Sequence, residues 1–311
     1  MRLLDRLYVR VTRPLGCFEA GWGEPSELDR PLSGEGFGEP TPIAPRWTRK
    51  RVHGELCVLD GELESPEERL PLESGRRACA CSHLERSARA PSRCASRRGT
   101  TRGFAARQRL LAPAASAGVA CLLLENAFYG GRRRVGQRGS RLATVSDFVV
   151  MGRATVREAH ALVAWARAEG YARTGVAGYS MGGQMAAMSA ALAPWPVHVA
   201  AMAPAVTPAS VFLHGPLRRD VAWRALGEGG ERRLERVLTS LSVLGLPPVA
   251  APHLATLVGT RHDAIVPPGD VAAIARHWRV SPRWLDDGHV SAIALRSRAL
   301  AQAVVDTFAR R

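Results

Sequence analysis

The amino-acid sequence predicts an α/β fold in which a doubly wound, mainly parallel sheet carries a small helical insertion. From Phe104 onward, short apolar segments typical of strands alternate with helical patterns, and this alternation indicates a parallel sheet covered by helices. The 311 residues, 46% of them hydrophobic, suffice for one large α/β domain, and two domains are the alternative. Between residues 205 and 250, proline, glycine and charged residues interrupt the alternation. This segment is predicted to form a lid or cap over the carboxyl-terminal edge of the sheet.

The elements follow from the positions of apolar runs and of helix-breaking residues. Residues 1–75 are predicted as an N-terminal extension with a helical start and edge strands near 55–59 and 68–72. Residues 103–204 and 251–311 are predicted as the core. Its strands are expected at 119–124, 173–179, 197–202, 253–259 and 280–285. Its helices are expected at 104–117, 147–169, 181–193, 269–278 and 290–310, with a charged amphipathic helix at 230–242 in the insertion.

A Gly-x-Ser-x-Gly pattern centred on Ser180 lies where the strand at 173–179 gives way to the helix at 181–193. In that setting the pattern is typical of the nucleophile elbow of α/β-hydrolases. The turn is sharp, so we expect glycine to be required two residues before and after the serine, at Gly178 and Gly182. Ser180 would also lie at a helix N-terminus, where free backbone N–H groups favour a developing oxyanion. The expected donors are the backbone N–H of Met181 and one further group from the loop before the helix at 104–117.

A serine nucleophile requires a base and a group that orients the base, and in α/β-hydrolases these follow in the order Ser, Asp or Glu, His. Asp263 lies in the turn after the strand at 253–259, and His289 lies after the strand at 280–285. Both positions are carboxyl ends of strands, the edge where Ser180 is expected. Ser180, Asp263 and His289 are therefore the predicted catalytic residues. Weaker candidates for the base and the acid are His253, His262, His277, Asp286 and Asp287.

The formal net charge of +15 favours a protein that binds nucleic acid or an anionic membrane. However, Lys50 is the only lysine among 43 basic residues, and this imbalance is typical of GC-rich coding. No nucleic-acid-binding motif accompanies the charge, so no nucleic-acid partner is expected. Without a secretory signal or an apolar run of membrane-spanning length, a cytoplasmic location is expected, with peripheral membrane contact as the alternative. The six cysteines follow no disulfide framework, and no metal or cofactor is expected.

One run of residues resembles a known family more closely than the elbow alone does. The run begins with Glu125-Asn126-Ala127-Phe128-Tyr129-Gly130 and continues through Arg132-Arg133, Gln137, Ser140, Val145-Ser146-Asp147, Met151-Gly152, Glu158, Trp165 and Gly170-Tyr171. With Gly21-Trp22-Gly23 and Gly288-His289-Val290-Ser291-Ala292, it resembles the α/β-hydrolase domain-containing protein 18 family. The resemblance implies a Ser180–Asp263–His289 hydrolase that acts on acyl esters, among them lipid esters. Asn126, Tyr129 and Tyr179 are expected in the substrate pocket.

Residues 76–102 depart from that family, which has here an apolar strand and a His-x-x-Gly-Thr-Gly-Asp-His loop that completes the oxyanion hole. The segment from Gly75 to Arg102 instead contains eight arginines, one acidic residue and three cysteines, without strand alternation. It is interpreted as translated from a shifted reading frame, as a disordered basic insertion, or as a metal site of Cys79, Cys81, His83 and Cys94. The sequence thus predicts a serine esterase of small-molecule or lipid acyl esters. A catalytically impaired relative and a basic nucleic-acid- or membrane-binding protein are the alternatives, and the oligomeric state stays open.

Overall fold

The computed structural model describes residues 4–5, 7, 16–29, 37–53, 55–71, 79–86, 104–137, 139 and 141–311. For residues 79–86 it describes the backbone only. Eight strands in this part of the chain form two four-stranded sheets, one from each half of the sequence. No helix in these ranges is both long enough and apolar enough to cross a membrane.

The first sheet is antiparallel throughout. It contains, in order, β1 (Arg46–His53), β2 (Leu56–Leu63), β3 (Cys79–Arg86) and β4 (Cys121–Leu124). The predicted edge strand near 55–59 is therefore an inner strand, because β1 and β3 pair with its two sides. Residues 68–71 form turns and irregular structure instead of a strand. The expectation that 76–102 lacks a strand was wrong for Cys79–Arg86, whose backbone pairs with β2 and β4 although its sequence does not alternate.

The second sheet is parallel throughout. It contains, in order, β5 (Gly175–Tyr179), β6 (His198–Met202), β7 (Ala255–Thr260) and β8 (Arg283–Leu285). The pairing places Tyr179 beside Met202, Met202 beside Val258, and Thr260 beside Leu285. All four strands therefore end at one edge of the sheet, which brings the residues that follow them close together.

Ten α-helices with defined bounds, besides four short 3-10 helices, lie around and between these strands in the described residues. They are α1 (Pro25–Leu28), α2 (Ala105–Ser116), α3 (Val145–Ala168), α4 (Met181–Ala191), α5 (Ala209–Phe212), α6 (Trp223–Leu226), α7 (Gly230–Thr239), α8 (Pro268–Trp278), α9 (His289–Leu295) and α10 (Ser297–Ala309). The single helix expected at 290–310 is thus two helices that meet at Arg296.

The parallel sheet is covered by apolar residues on both faces, as a doubly wound fold requires. Alternate residues of β6 lie on opposite faces of the parallel sheet. Val199 and Ala201 belong to a core cluster with α3, α4 and α8. Ala200 and Met202 belong to a second cluster with α2 and α10, which also includes Val58 of the antiparallel sheet. The second cluster therefore joins the two sheets into one folded body.

The insertion at 205–250 consists mainly of short helices that pack on α4 and on the N-terminal loop. Leu234 and Leu238 of α7 are fully buried. Gln184 of α4 donates a hydrogen bond to the carbonyl of Leu241 at 3.2 Å. Phe212 packs against Phe18, with ring centroids 5.8 Å apart. The function of this segment as a lid stays a prediction.

The two sheets are separated between β4 and β5. In the part of the chain that the structure describes, β5 pairs with β6 on one side and with no strand on the other. Ala177, in the middle of β5, is exposed to solvent. The strand that leads to Ser180 therefore lies at the edge of its sheet.

Candidate active site

Ser180 occupies a sharp turn between β5 and α4. Its backbone angles, φ +59° and ψ −123°, are rare for a residue with a side chain. The backbone N–H of Ser180 donates to the carbonyl of Met202 on the neighbouring strand at 2.9 Å. This bond ties the turn to the sheet at the edge where the strands end.

Glycine is required on both sides of the turn, although one of the two positions differs from the prediction. A Cβ at Gly178 would lie 2.0 Å from the carbonyl oxygen of Gly182. A Cβ at Gly182, where the sequence predicted a collision, meets no atom within 4 Å. The second crowded position is Gly183, where a Cβ would lie 2.4 Å from the carbonyl oxygen of Met202. The helix turns Gly182 away from the sheet and Gly183 towards it.

The structure brings Ser180, His289 and Asp263 into one hydrogen-bonded chain. The Nε2 atom of His289 lies 2.8 Å from the Oγ of Ser180, and its Nδ1 lies 2.7 Å from the Oδ2 of Asp263. With the proton on Nδ1, the imidazole donates to the carboxylate and accepts from the hydroxyl. Asp263 and His289 are buried, whereas Ser180 is partly exposed.

Asp263 is held by the loop that carries it. Its Oδ1 accepts the backbone N–H groups of Ile265 and Val266 at 2.9 and 2.8 Å. Its Oδ2 accepts the hydroxyl of Thr260, the last residue of β7, at 2.6 Å. These three donors satisfy the buried carboxylate and direct one oxygen at the imidazole.

The other residues considered for the acid and the base have different partners. The imidazole of His262 lies 2.7 Å from the carboxylate of Asp286 on the surface. The carboxylate of Asp287 accepts from Arg296 at 3.0 Å. His277 lies 2.9 Å from the carbonyl of Leu246. In the described residues, His289 is the histidine that contacts Ser180.

Tyr179 and Asp5 hold the backbone of His289. The hydroxyl of Tyr179, one of the residues expected in the substrate pocket, donates to the carbonyl of His289 at 2.5 Å. Burial raises the pKa of Tyr179 strongly, and the carboxylates of Asp263, Asp5 and Asp287 raise it further. The hydroxyl therefore stays protonated. The buried carboxylate of Asp5 accepts the backbone N–H of His289; sequence reasoning missed this residue because no motif surrounds it.

Two other residues expected in the substrate pocket belong to the loop after β4. Burial raises the pKa of Tyr129 to about 12, and the nearby Cys17 raises it further. The carbonyl of Asn126 accepts the backbone N–H of Tyr129 at 3.2 Å. The described contacts link neither residue to Ser180, so their place in a pocket stays a prediction.

The same loop contains a buried ion pair that explains part of the sequence resemblance. The guanidinium of Arg132 binds the carboxylate of Glu158 through two hydrogen bonds of 2.9 and 2.7 Å. It also donates to the carbonyl of Glu125 at 2.5 Å. A Cβ at Gly130 would collide with the side chain of Glu125. The contacts of Glu125, Arg132 and Glu158 therefore hold the loop after β4 against α3.

One of the two hydrogen-bond donors expected for an oxyanion lies in the described residues, and the other does not. Met181 begins α4, and the first backbone N–H groups of a helix have no partner within it. The N–H of Met181 directly follows the candidate nucleophile, and its function as an oxyanion donor stays a prediction. The second donor was expected just before the helix at 104–117, and residues 87–103 lie outside the described residues.

Three cysteines whose side chains the structure describes lie in the interior. Cys17, Cys57 and Cys121 are buried, and burial raises the pKa of Cys121 to about 12. No group of three or more potential metal ligands occurs among the described residues. Cys94 and the side chains of Cys79, Cys81 and His83 lie outside that description, so the metal hypothesis for them is untested.

The chain is similar to one protein family and to several solved hydrolases. The family model for alpha/beta hydrolase domain containing 18 matches residues 16–241. An acetyl xylan esterase from Paenibacillus sp. R4 is 14% identical, with a TM-score of 0.58 over 94% of this chain and 97% of that chain. Acetyl xylan esterase 1 from Thermoanaerobacterium sp. JW/SL YS485 is 15% identical, with a TM-score of 0.54 over 96% and 98%.

Oligopeptidase B from Trypanosoma brucei is 18% identical, with a TM-score of 0.52 over 83% of this chain and 38% of that chain. At these identities the likeness shows the fold, and it confirms the predicted α/β-hydrolase fold. The family match ends at residue 241, before Asp263 and His289. The geometry of those two residues is therefore independent of the family match.

Proposed function

Because the chain belongs to the alpha/beta hydrolase domain containing 18 family, we propose that it is a serine hydrolase that cleaves acyl esters. Ser180 is the nucleophile, His289 the general base and acid, and Asp263 the residue that orients the imidazole. The observation that carries the proposal is the chain of hydrogen bonds from Ser180 Oγ to His289 Nε2, 2.8 Å, and from His289 Nδ1 to Asp263 Oδ2, 2.7 Å. Nucleophile, base and orienting carboxylate in this order are the requirements for activating a serine hydroxyl.

The first half of the reaction is acylation. The Oγ of Ser180 attacks the ester carbonyl while Nε2 of His289 takes the hydroxyl proton. The carboxylate of Asp263 stabilises the imidazolium that results, and the backbone N–H of Met181 donates to the oxyanion of the tetrahedral intermediate. The intermediate collapses to an acyl-serine when His289 returns the proton to the departing alkoxide. An alcohol leaves.

The second half is deacylation. Water attacks the carbonyl of the acyl-serine, and His289 takes one of its protons. The second tetrahedral intermediate expels the Oγ of Ser180, which recovers its proton from His289, and a carboxylic acid is released. No metal or cofactor is required for either step.

An apolar acyl group suits the surroundings of the catalytic residues. Ile265 and Val266, which follow Asp263, and Val290, which follows His289, pack with Ala205 and Val211 of the insertion in one hydrophobic cluster. The acetyl xylan esterases suggest a short acyl chain, and the family resemblance suggests a longer lipid chain. We favour an ester with an apolar acyl group. The preferred length of that acyl group is measured by the ester series below.

A fluorophosphonate probe tests the nucleophile directly. The wild-type protein is expected to be labelled at Ser180, and S180A is expected to lose both labelling and ester hydrolysis, by at least about 10³-fold. S189A is the matched control, because Ser189 lies on the same helix, α4, and is buried. It is expected to retain labelling.

Rates on p-nitrophenyl esters from acetate to decanoate then give the preferred acyl length. Equal labelling of the wild type and S180A would contradict the assignment of the nucleophile. A folded wild-type protein that neither reacts with the probe nor hydrolyses any ester would contradict a working hydrolase.

A catalytically impaired hydrolase is the second candidate, and the edge position of β5 favours it. A strand that carries a nucleophile is positioned by neighbours on both sides, and β5 has a described partner only in β6. The loop expected to supply the second oxyanion donor falls among residues 87–103. Loss of one such donor lowers the rate by about 10²–10³-fold. Slow but S180A-sensitive labelling would favour this candidate over a fully active enzyme.

A further inference from the structure

The carboxylate of Asp5 joins the two loops that carry the proposed acid and base. Its Oδ2 accepts the backbone N–H of Ala264 at 3.0 Å and that of His289 at 2.8 Å. Its Oδ1 accepts the backbone N–H of Val290 at 2.8 Å. Asp5 has no solvent exposure, so these three hydrogen bonds take the place of water. We infer that Asp5 is a positioning residue for the hydrolase proposed above: it holds His289 in line between Asp263 and Ser180.

The inference rests first on which residues Asp5 binds. Ala264 directly follows Asp263, and His289 is the proposed base itself. One carboxylate therefore fixes the spacing between the acid loop after β7 and the base loop after β8. A carboxylate that only capped α9 would bind N–H groups of that helix, whereas Asp5 also binds Ala264, which lies outside it.

The second argument is that the backbone of His289 is held from both ends. Its N–H donates to Asp5, and its carbonyl accepts from the hydroxyl of Tyr179 at 2.5 Å. Gly288 lets the carboxylate approach, because a Cβ there would lie 2.8 Å from an Asp5 oxygen. A base that is displaced by about 1 Å can lose about 10²-fold in rate. The backbone hydrogen bonds of Asp5 and Tyr179 can therefore affect the rate by setting the position of His289.

The experiment compares D5A, D5N and D286A, with the wild-type ester and probe assays as reference. D5A removes all three hydrogen bonds, and D5N keeps one acceptor oxygen and loses the charge. D286A removes an exposed carboxylate that lies near His289 in sequence but binds His262. The expected result is a fall in kcat of at least about tenfold for D5A, a smaller fall for D5N, and a change of less than about twofold for D286A. KM is expected to stay within about twofold, because the carboxylate of Asp5 is fully buried and binds backbone N–H groups.

Hydrogen exchange of the backbone amides supplies a readout that does not depend on activity. Exchange at Ala264, His289 and Val290 is expected to accelerate in D5A and to stay unchanged in D286A. If exchange accelerates but kcat of D5A stays within about twofold of the wild type, Asp5 is structural only and the inference is overturned. Unchanged exchange in D5A also overturns it, because the carboxylate would then not bind these groups.

A separate outcome concerns the proposed function. If the wild type neither hydrolyses esters nor reacts with the probe, the hydrolase proposal fails and the catalytic part of the inference fails with it. Accelerated exchange in both loops of D5A would then still support the link between them. If D5A does not fold, D5N supplies the same comparison, because it keeps the size of the side chain.

Discussion

Every polar group of His289 has a partner from a different part of the chain. Its ring nitrogens lie within hydrogen-bond distance of Ser180 and Asp263, its backbone N–H donates to Asp5, and its carbonyl accepts from Tyr179. The sequence predicted the two ring partners, because chain order and strand ends point to them. It could not predict the two backbone partners. Such bonds depend on contacts between residues 284 and 110 positions apart, and neither Asp5 nor Tyr179 carries a signal for its partner.

A second histidine makes the stability of the protein depend on pH. His160 is buried in α3, and its Nε2 lies 2.8 Å from the carbonyl of Ser189. Burial lowers its pKa below the ordinary value of 6.5. The unfolded chain therefore binds a proton near pH 6.5 that the folded protein does not bind. The stability that neutral His160 contributes is complete above that pH and is lost as the pH falls towards the lowered native pKa.

Urea unfolding measures this effect. Between about pH 7.5 and about pH 5.5 the free energy of unfolding is expected to fall more steeply for the wild type than for H160Q, which has no titrating imidazole. The matched control is H214Q, because the side chain of His214 is 66% exposed. Equal slopes for the wild type and H160Q would contradict this assignment.

At the scale of elements, the turn between β5 and α4 depends on two glycines, and the second is not the one in the Gly-x-Ser-x-Gly pattern. The pattern predicts the turn itself correctly, with β5 and α4 beginning and ending within two residues of their expected bounds. It does not indicate which of two adjacent glycines faces the sheet. That depends on how the first turn of α4 is oriented over β6, which is a tertiary contact.

Three alanine substitutions test which of the glycines at this turn cannot accept a side chain. G178A and G183A are expected to destabilise the fold by several kcal/mol, about 3 or more, because each Cβ would overlap a backbone carbonyl. G182A is expected to leave the stability unchanged or to raise it by up to about 1 kcal/mol, because alanine favours a helix more than glycine does. Thermal unfolding of the three variants is the measurement. A G182A variant as unstable as G183A would contradict the orientation of α4.

The elements that the sequence did not predict are two strands without a regular apolar pattern and a break between two helices. β1 contains mostly polar and charged residues, β3 contains as many polar as apolar residues, and neither alternates regularly, so a pattern search finds no strand there. The break between α9 and α10 falls at Arg296, which is neither glycine nor proline. By contrast, β6, β7 and α8 are apolar or amphipathic with clear bounds, and their predicted positions agree with the structure within two residues.

At the scale of the whole molecule, two arginines of the described residues are part of the folded interior. Arg132 and Arg153 are almost completely buried, and they bind Glu158 and the pair Glu27 and Glu67. These ion pairs connect the N-terminal segments and the loop after β4 to α3. Such contacts account for part of the arginine content without a nucleic-acid partner.

Removal of one member of the Arg132–Glu158 pair is expected to be costly. R132M removes two hydrogen bonds from the buried carboxylate of Glu158, which still accepts the hydroxyl of Ser65 at 2.5 Å. The expected loss is about 3–5 kcal/mol in the free energy of unfolding. The double variant R132M/E158L should recover much of that loss, since neither position then carries a buried charge. R218M, which breaks a surface pair with Glu231, should leave the urea midpoint almost unchanged. A comparable loss in R132M and R218M would contradict a structural function for the buried pair.

The bonds of Asp5 also have a consequence for the order in which the protein is made. Domains fold during synthesis from the N-terminus onward, so Asp5 leaves the ribosome long before Ala264, His289 and Val290, its partners 259 to 285 residues later. Until then its carboxylate has none of these donors. The nascent chain can form its sheets and the turn at Ser180 first, and the base is locked in place only when the last loop reaches the first residues. Assembly of the proposed catalytic centre is therefore a late event, which follows the synthesis of both loops that bind Asp5.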